Sequence, residues 1–359
     1  MTAPRLVIDL EKIEHNARTL VGRLATRNIR VTGVTKATLG SPAIAGALLR
    51  AGVTGLGDSR IENLEAMRHA GVAASMTLLR SPMISQARRV VEQADVSLNT
   101  ELEVIGQLSS AATALGRIHG VVLMVEMGDL REGIMPAELM GIVRETIRLP
   151  NIRFKGIGTN LVCRSGVVPD ANNMAELSGL ADSIETTLGS PVEIVSGGNS
   201  GSLLWALSGA DTGRINDLRL GESILLGCET LHRQPIEGLH IDAVTLVAEV
   251  IESKLKPSKP WGELAQPAFG ERPPVVDRGD ISQSILALGR QDIDPAGLQP
   301  PPWMEILGAS SDHLMVHAGD TPMPIGTEVT FGLNYSALVT AMTSPFVDKI
   351  TSHRGARAQ

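Results

Sequence analysis

The sequence of 359 residues is poor in aromatic side chains, which make up 2% of it, whereas hydrophobic residues of all kinds make up 43%. It contains one tyrosine, three tryptophans and four phenylalanines. A buried core must therefore be built mainly from Ala, Val, Ile and Leu. Tyr335 is the single phenol of the chain, so tyrosine-based proton transfer has one candidate at most.

Cysteine and positive charge are also scarce. Cys163 and Cys228 are the two cysteines and lie far apart, which argues against a disulfide framework or a structural zinc site. The formal charge of -7 and the absence of a basic block argue against a nucleic-acid partner. No apolar run is long enough to span a bilayer, and charges come too early at the N-terminus for a signal peptide. We expect a cytoplasmic protein that acts on a small molecule.

The sequence does contain a repeated alternation of short apolar runs and segments with helical periodicity. This alternation predicts parallel strands with right-handed crossovers, and eight units are what a closed (β/α)8 barrel of the TIM type needs. An open doubly wound sheet is the alternative, but no G-x-G-x-x-G turn follows the first strand. The eight strand-like runs are 30–35, 52–58, 75–80, 96–100, 120–127, 153–161, 192–198 and 215–227.

The pattern changes near residue 231. Beyond it, strand-like runs are joined by loops rich in Pro and Gly, and no long helical period separates them. This arrangement is typical of a separate, mainly β domain. We therefore predict a barrel over 10–230 and a C-terminal β domain over 231–359, and we expect the N-terminal strand (1–9) to pair with the β domain.

Polar residues follow the predicted barrel strands where the catalytic groups of such barrels lie. Lys36 directly ends the first of these strands, and we expect it to be buried. Burial lowers the pKa of a lysine and makes its amine a nucleophile, which a carbonyl cofactor would use. The segments VSGGNSGSL and LRLGES would then supply a phosphate cradle from backbone N–H groups and the Ser200 hydroxyl.

These residues and their surroundings resemble the alanine racemase-like (fold-type III) enzymes of pyridoxal 5'-phosphate (PLP) over nearly the whole chain. The resemblance implies PLP bound as a Schiff base to Lys36, Arg131 near the substrate carboxylate, and a homodimer. It also implies that Arg219 contacts the pyridine nitrogen. The segments that carry it are VIDLEKIEHN, GVTKATLG, VEMGDLREG, VSGGNSGSL, LRLGESILLG and LNYSALVTAMTSPFV. The remaining cofactor contacts that it implies are Asn160, Ser200, Gly221, Glu222 and Tyr335.

Several positions depart from alanine racemase itself. Arg290 stands where those enzymes have their catalytic tyrosine, and we expect it to bind substrate. Met124 replaces a carbamylated lysine, and Asn160 replaces a histidine. The segments SGGNSGSL, LRLGESILLG, GRQD and GASSDHL are closer to the alanine/ornithine racemase-like branch. That branch implies racemisation of a free amino acid such as ornithine, lysine, alanine or serine.

Racemisation needs a proton carrier on each face of a planar intermediate, and Lys36 would serve one face. The second carrier is open, because the resemblance places Tyr335 at the phosphate. The candidates are Cys163, Asp292 and the Asp312–His313 pair, and we rank Cys163 and Asp312 first. A basic substrate side chain would need a carboxylate, and the candidates for that role are Glu132, Asp129 and Asp58.

Two other functions fit the same cofactor. Small barrels that resemble this one carry PLP without a known reaction, but they lack a β domain. Decarboxylases of the same fold type usually have a substrate cysteine in the C-terminal domain, and this chain has no cysteine after Cys228. Related enzymes that cleave β-hydroxy amino acids use a metal. No His-x-Cys pair stands near this C-terminus, so we expect no metal.

Overall fold

The computed structural model describes residues 2–270, 276–319 and 322–352. The chain forms two compact units. One unit is Glu11–His240, and the other consists of the residues up to Leu10 together with those from Ile241 onward. The change of pattern in the sequence had placed this boundary at 230/231.

The first unit is a closed barrel of eight parallel strands, as predicted, and each of the eight strand-like runs contains a strand. The first barrel strand comes after β1 (Arg5–Asp9) and α1 (Leu10–Ala25) in the chain. Each strand pairs in parallel with the next, and the last pairs with the first to close the ring. The strands are β2 (Arg30–Val34), β3 (Gly55–Asp58), β4 (Met76–Leu78), β5 (Val96–Asn99), β6 (His119–Val125), β7 (Ile152–Thr159), β8 (Ile194–Ser196) and β9 (Asp217–Leu220).

Helices connect the barrel strands, and local sequence signals set several of their ends. The Asp170 side chain accepts hydrogen bonds from two amides at the start of the longest helix, and Gly189 ends that helix in a left-handed conformation. Among the described residues, no helix has the length and apolarity needed to cross a lipid bilayer. The helices are α2 (Pro42–Arg50), α3 (Ile61–His69), α4 (Ala87–Gln93), α5 (Leu102–Leu115), α6 (Pro136–Thr146), α7 (Ala171–Leu188), α8 (Leu203–Leu207) and α9 (Glu222–Leu226).

The barrel interior is apolar on one side and polar on the other. Val96, Leu98, Val122 and Met124 form a buried cluster from β5 and β6. A cavity of about 40 Å³ separates part of this cluster from polar side chains of β2, β8 and β9. The polar side holds charged groups, and buried charges are stable only when they are paired with one another.

The second unit is mainly β, as predicted. Its elements are β10 (Val244–Pro257), β11 (Asp280–Leu286), β12 (Leu298–Gln299), β13 (Glu305–Ala309), β14 (Leu314–His317), β15 (Glu328–Leu333), α10 (Tyr335–Thr343) and β16 (Asp348–Ser352). The helix α10 was not foreseen, and it begins where the Asn334 side chain accepts the amide N–H of Ala337. The sheet has the strand order β12-β15-β10-β11-β14-β13, and β1 pairs antiparallel with β10 and parallel with β16.

Candidate active site

Lys36 stands at the carboxyl end of β2, where it begins a short 3-10 turn. The expectation that it is buried was wrong, because the Lys36 side chain is exposed although its neighbours Thr35 and Ala37 are buried. Among the residues that the structure describes, no acceptor bonds to its amine. The amine is therefore accessible to a carbonyl compound at the mouth of the barrel, which is the end formed by the carboxyl ends of the strands.

Asp58, at the end of β3, fixes the backbone next to Lys36. It is fully buried, and its carboxylate accepts the Thr35 hydroxyl at 2.7 Å. It also accepts the Arg60 amide and the Asn63 side-chain amide, each at 2.9 Å. Burial raises the pKa of Asp58, and these hydrogen bonds oppose the rise. The carboxylate therefore holds the ends of β2 and β3 together, and this contact fixes the backbone position of Lys36.

A column of polar side chains runs through the barrel interior beneath Arg219. The buried Arg219 guanidinium donates to the Ser196 hydroxyl and, at 2.8 Å, to the carbonyl oxygen of Thr159. Ser196 donates in turn to Asp217 Oδ2 at 2.7 Å, and Thr32 donates to Asp217 Oδ1 at 2.8 Å. A buried guanidinium thus has a carboxylate within two hydrogen bonds, which offsets part of its desolvation.

Several residues near the barrel mouth affect the pKa of Arg219. Burial lowers the pKa of Arg219, whereas the negative charges of Asp217 and Glu132 raise it and the positive charge of Arg131 lowers it. Cys163 also acts on this pKa, in the raising direction. Arg131 and Glu132 follow β6 and Cys163 follows β7, so all three belong to loops at the carboxyl end of the barrel.

Asn199 ties the loop after β7 to the loop after β8. Its side-chain N–H group donates to Asn160 Oδ1 and to the Leu161 carbonyl oxygen, both at 2.8 Å, and to Cys163 Sγ at 3.3 Å. Its oxygen accepts the Gly201 amide at 2.7 Å. Two residues named from the sequence, Asn160 and Cys163, therefore share one partner.

Ser200 ties the loop after β8 to the start of α9. Its hydroxyl lies 3.0 Å from the Ser223 hydroxyl and accepts the Ser223 amide at 3.2 Å. A Cβ on Gly221 would lie 3.1 Å from Val34 Cβ, so glycine lets this turn lie against the end of the lysine-bearing strand. The Glu222 side chain is engaged elsewhere, in an ion pair with Arg233.

Arg131 and Glu132 lie in the loop after β6, and the backbone of that loop is held by Glu126. The Glu126 carboxylate accepts the amides of Gly128 at 2.6 Å, Leu130 at 3.0 Å and Arg131 at 3.1 Å. The Arg131 guanidinium pairs with the Glu132 carboxylate, with Nη2 to Oε1 at 2.7 Å. The charged ends of both side chains thus bind each other, while their backbone is fixed.

Two residues expected at the site belong to the β unit. Arg290 is exposed, and its guanidinium lies over the Phe269 ring, 5.1 Å from the centroid. It also donates to the Ala309 carbonyl oxygen at 3.4 Å. Tyr335 is the first residue of α10.

The acidic candidates of the β unit are all bound within it. Asp292 is buried and accepts the Gly289 amide and the Ser344 hydroxyl. Asp312 accepts the hydroxyls of its serine neighbours and contacts His313 Nδ1 at 3.0 Å. The hydrogen bond from Ser311 and the charge of His313 lower the pKa of Asp312. Within the described part of the chain, no three His, Cys, Asp or Glu side chains meet as metal ligands.

Sequence reasoning missed Asp217 and Ser196 and gave Asn199 no role of its own, although these residues connect the predicted residues to one another. One signal was present for Asp217, because it and Arg219 are two residues apart in a strand-like run and must share a face. A pair of opposite charges on one face of a buried strand indicates a linked pair inside the barrel. Asn199 and Ser196 carry no such signal, since their partners come from distant strands.

The fold and the residues at the barrel mouth are those of a barrel enzyme with an accessible lysine and a buried arginine. Residues 8–227 match the family described as "Alanine racemase, N-terminal domain". The chain is 39% identical to the ornithine racemase of Acetoanaerobium sticklandii over 350 residues, which cover 96% of this chain and 99% of the relative. It is 38% identical to the lysine racemase of Thermotoga maritima over 352 residues, 98% of this chain and 99% of the relative.

A solved structure agrees on the fold. The alanine racemase from Streptomyces coelicolor A3(2) superposes with a TM-score of 0.77 at 18% identity, covering 97% of this chain and 98% of that one. The chain therefore belongs to the alanine racemase N-terminal domain family and is an amino-acid racemase. The family predicted from the sequence is confirmed.

Proposed function

We propose that this racemase interconverts the enantiomers of a basic diamino acid, ornithine or lysine, and that it does so with PLP attached to Lys36. One observation carries the substrate class: the chain matches an ornithine racemase and a lysine racemase along nearly their whole lengths. The matches to the alanine racemases of Treponema denticola and Mycobacterium avium cover 57% and 44% of this chain, at 25% and 28% identity. Alanine is therefore the weaker candidate.

The residues present fit PLP, which is the cofactor of this family. Lys36 offers an accessible amine at the end of a barrel strand. The hydroxyls of Ser200 and Ser223 lie 3.0 Å apart at the start of α9, where they would donate to the phosphate group. Arg219 offers a planar donor group at the barrel mouth. The lysine amine, the two hydroxyls and the guanidinium therefore match the aldehyde, the phosphate and the pyridine nitrogen of PLP, in that order.

When bound, PLP delocalises the electron pair left by removal of the α-proton of an amino acid. Arg219 would donate a hydrogen bond to the ring nitrogen. A guanidinium does not give up its proton near neutral pH, so the nitrogen would stay unprotonated. Ser196 and Asp217 hold the guanidinium in its orientation and oppose its loss of charge.

Two proton carriers would act on opposite faces of the substrate. The Lys36 amine would move the proton on one face, and we propose that the Cys163 thiol moves it on the other. Cys163 lies in the loop after β7, and the Asn199 side chain orients its sulfur. Asp312 is the weaker choice, because a carboxylate with a lowered pKa is a poorer base.

We also propose a homodimer, as the resemblance to alanine racemases implies. Light scattering at the concentration used for kinetics tests this proposal. A mass twice that of the 38.0 kDa chain supports it. A monomeric mass with full activity contradicts it.

Chiral chromatography tests the proposed function. The PLP-loaded protein is incubated separately with single enantiomers of ornithine, lysine, alanine, serine and arginine. We expect inversion of ornithine or lysine in both directions. Release of carbon dioxide without inversion would indicate a decarboxylase, and a yellow protein that changes no substrate would indicate a PLP carrier. Faster inversion of alanine than of either diamino acid would overturn the proposed substrate class.

A further inference from the structure

The amine at the far end of a diamino acid needs a negative partner in the site. That amine is an ammonium cation at neutral pH, and removing it from water without a counter-charge is costly. The end of β3 and the loop after β6 carry four carboxylates at or near the barrel mouth: Asp58, Glu126, Asp129 and Glu132. The structure distinguishes them by what they already bind.

Three of these carboxylates are committed to the fold. Asp58 accepts three hydrogen bonds at the ends of β2 and β3. Glu126 accepts three backbone amides of its own loop. Asp129 is buried and accepts the amides of Arg164 at 3.1 Å and Ser165 at 2.9 Å. Turning any of them toward a substrate would leave backbone N–H groups without a partner, at about 1–3 kcal/mol for each buried group.

Glu132 differs, because its partner is the long side chain of Arg131. The Glu132 side chain is 29% exposed and that of Arg131 is 34% exposed, so both reach solvent. An ion pair of this exposure contributes about 0–1 kcal/mol, and little opposes its opening. Both residues follow β6 at the carboxyl end of the barrel, which is the end at which Lys36 follows β2.

The backbone that carries this pair is rigid although its side chains are not. The Ile134 amide donates to the Met124 carbonyl oxygen at 2.8 Å, and the Glu126 amide donates to the Ile134 carbonyl oxygen at 2.9 Å. A Cβ on Gly133 would lie 2.5 Å from the Glu126 nitrogen, so the loop packs directly against the end of β6. Two opposite charges are thus presented from a fixed support.

We infer that the Arg131–Glu132 pair opens when substrate binds, and that Glu132 then binds the distal ammonium group of the diamino acid while Arg131 binds its α-carboxylate. This inference rests on the proposed function, and it assigns the choice of substrate to Glu132. The exchange replaces one ion pair with two and leaves no charge unpaired. An amino acid with an apolar side chain would draw Arg131 away and leave the Glu132 carboxylate without a partner. The enzyme would therefore discriminate against it.

The experiment compares ornithine with norleucine, which has the same shape but ends in a methyl group. Incorporation of deuterium at the α-carbon in D2O, followed by NMR, detects even slow turnover of both. We expect the ratio of kcat/KM for ornithine to that for norleucine to fall about 100-fold in Glu132→Gln. Glu132→Asp, which keeps the charge, should recover part of the ratio. Calorimetry should show weaker binding of ornithine to Glu132→Gln.

Glu101→Gln is the matched control, because it removes the same charge from an exposed residue that follows β5 at the same end of the barrel. Its ratio should stay within about threefold of wild type, since surface charges away from a bound ion are screened. A ratio in Glu132→Gln that is as high as in this control overturns the inference. If the wild-type protein exchanges the α-proton of neither amino acid, the proposed function fails instead, so the two failures are distinguishable.

Discussion

The two sides of the barrel mouth are built differently. On the side of β7, β8 and β9, side chains bind to other loops: Asn199 joins two loops, Ser200 joins the next pair, and Arg219 reaches β7 and β8. On the side of β6, the backbone is equally well held, but the charged groups of Arg131 and Glu132 are paired with each other and not with another loop of the described chain. Fixed side chains suit a cofactor that stays in place, and a separable ion pair suits a substrate that enters and leaves.

The largest expected effect comes from Lys36, which lies between these two sides. Lys36→Ala should lose the yellow colour of bound PLP and lower racemisation at least about 1,000-fold, because both the attachment and one proton carrier disappear. Absorbance spectroscopy and chiral chromatography measure the two losses. Lys36→Arg keeps the positive charge and should fail equally. Retained colour and activity in either variant would show that the lysine is not the attachment point.

The next largest effect tests whether Lys36 and Cys163 move the proton on opposite faces of the substrate. Cys163→Ala should lower racemisation about 100-fold, while one enantiomer still exchanges its α-proton with solvent without inverting, because Lys36 serves its face alone. NMR in D2O combined with chiral chromatography distinguishes exchange from inversion. Cys228→Ala, at the other cysteine, is the matched control. If Cys163→Ala inverts both enantiomers at the wild-type rate, the thiol is not the second carrier.

A third prediction concerns the fixed side of the mouth. Arg219→Met should destabilise the fold by about 3 kcal/mol, because it leaves the buried Asp217 carboxylate without its counter-charge. Asp217→Asn in the same chain removes that unpaired charge, so the double variant should be more stable than the sum of the single effects predicts, by at least about 1 kcal/mol. Urea unfolding of the four proteins measures the coupling. Additive free energies would mean that Asp217 and Arg219 act independently.

The smallest effect on activity is expected at the opposite end of the barrel. His119 is the first residue of β6, and its ring nitrogen Nε2 lies 2.7 Å from the Ser97 hydroxyl of β5. Burial lowers the pKa of His119 to about 4. Between this value and the ordinary 6.5, the unfolded chain takes up a proton that the folded protein refuses. Stability should therefore fall by about 3 kcal/mol as the pH drops through this window.

His119→Gln removes this titration and should flatten the pH dependence of the unfolding free energy, while racemisation at neutral pH stays as in wild type. Urea unfolding at a series of pH values measures the first effect, and the chiral assay measures the second. An unchanged slope between pH values of about 4 and 6.5 would show that His119 is not responsible. Loss of racemisation would show that the two ends of the barrel are coupled.

Much of the fold was predictable because alternation along the chain reports it directly. The eight barrel strands and the change to a mainly β domain were both predicted from local periodicity, and the structure has both. The short helices α8 and α9 and the helix α10 gave little periodic signal, since five to nine residues hold barely two turns.

The site was predictable only where a residue ends a strand or matches a motif. Lys36, Ser200 and Arg219 were named in this way, but the burial of Lys36 was predicted wrongly, because a strand pattern does not show which way a side chain points once the strand has ended. The Asn199 contacts and the Ser196–Asp217 link depend on which strands become neighbours in a closed ring. Those distances arise from the fold as a whole, and the sequence pattern did not supply them.

The difference between the two sides of the mouth is tested most directly by a crystal structure of the PLP-loaded protein with ornithine bound. The account predicts that the hydrogen bonds of Asn199 and of the Ser196–Asp217 link remain, while Arg131 and Glu132 have separated to bind opposite ends of the substrate. If Arg131 and Glu132 are still paired with ornithine in place, or if the Asn199 contacts have broken instead, the assignment of a fixed and an exchangeable side is contradicted.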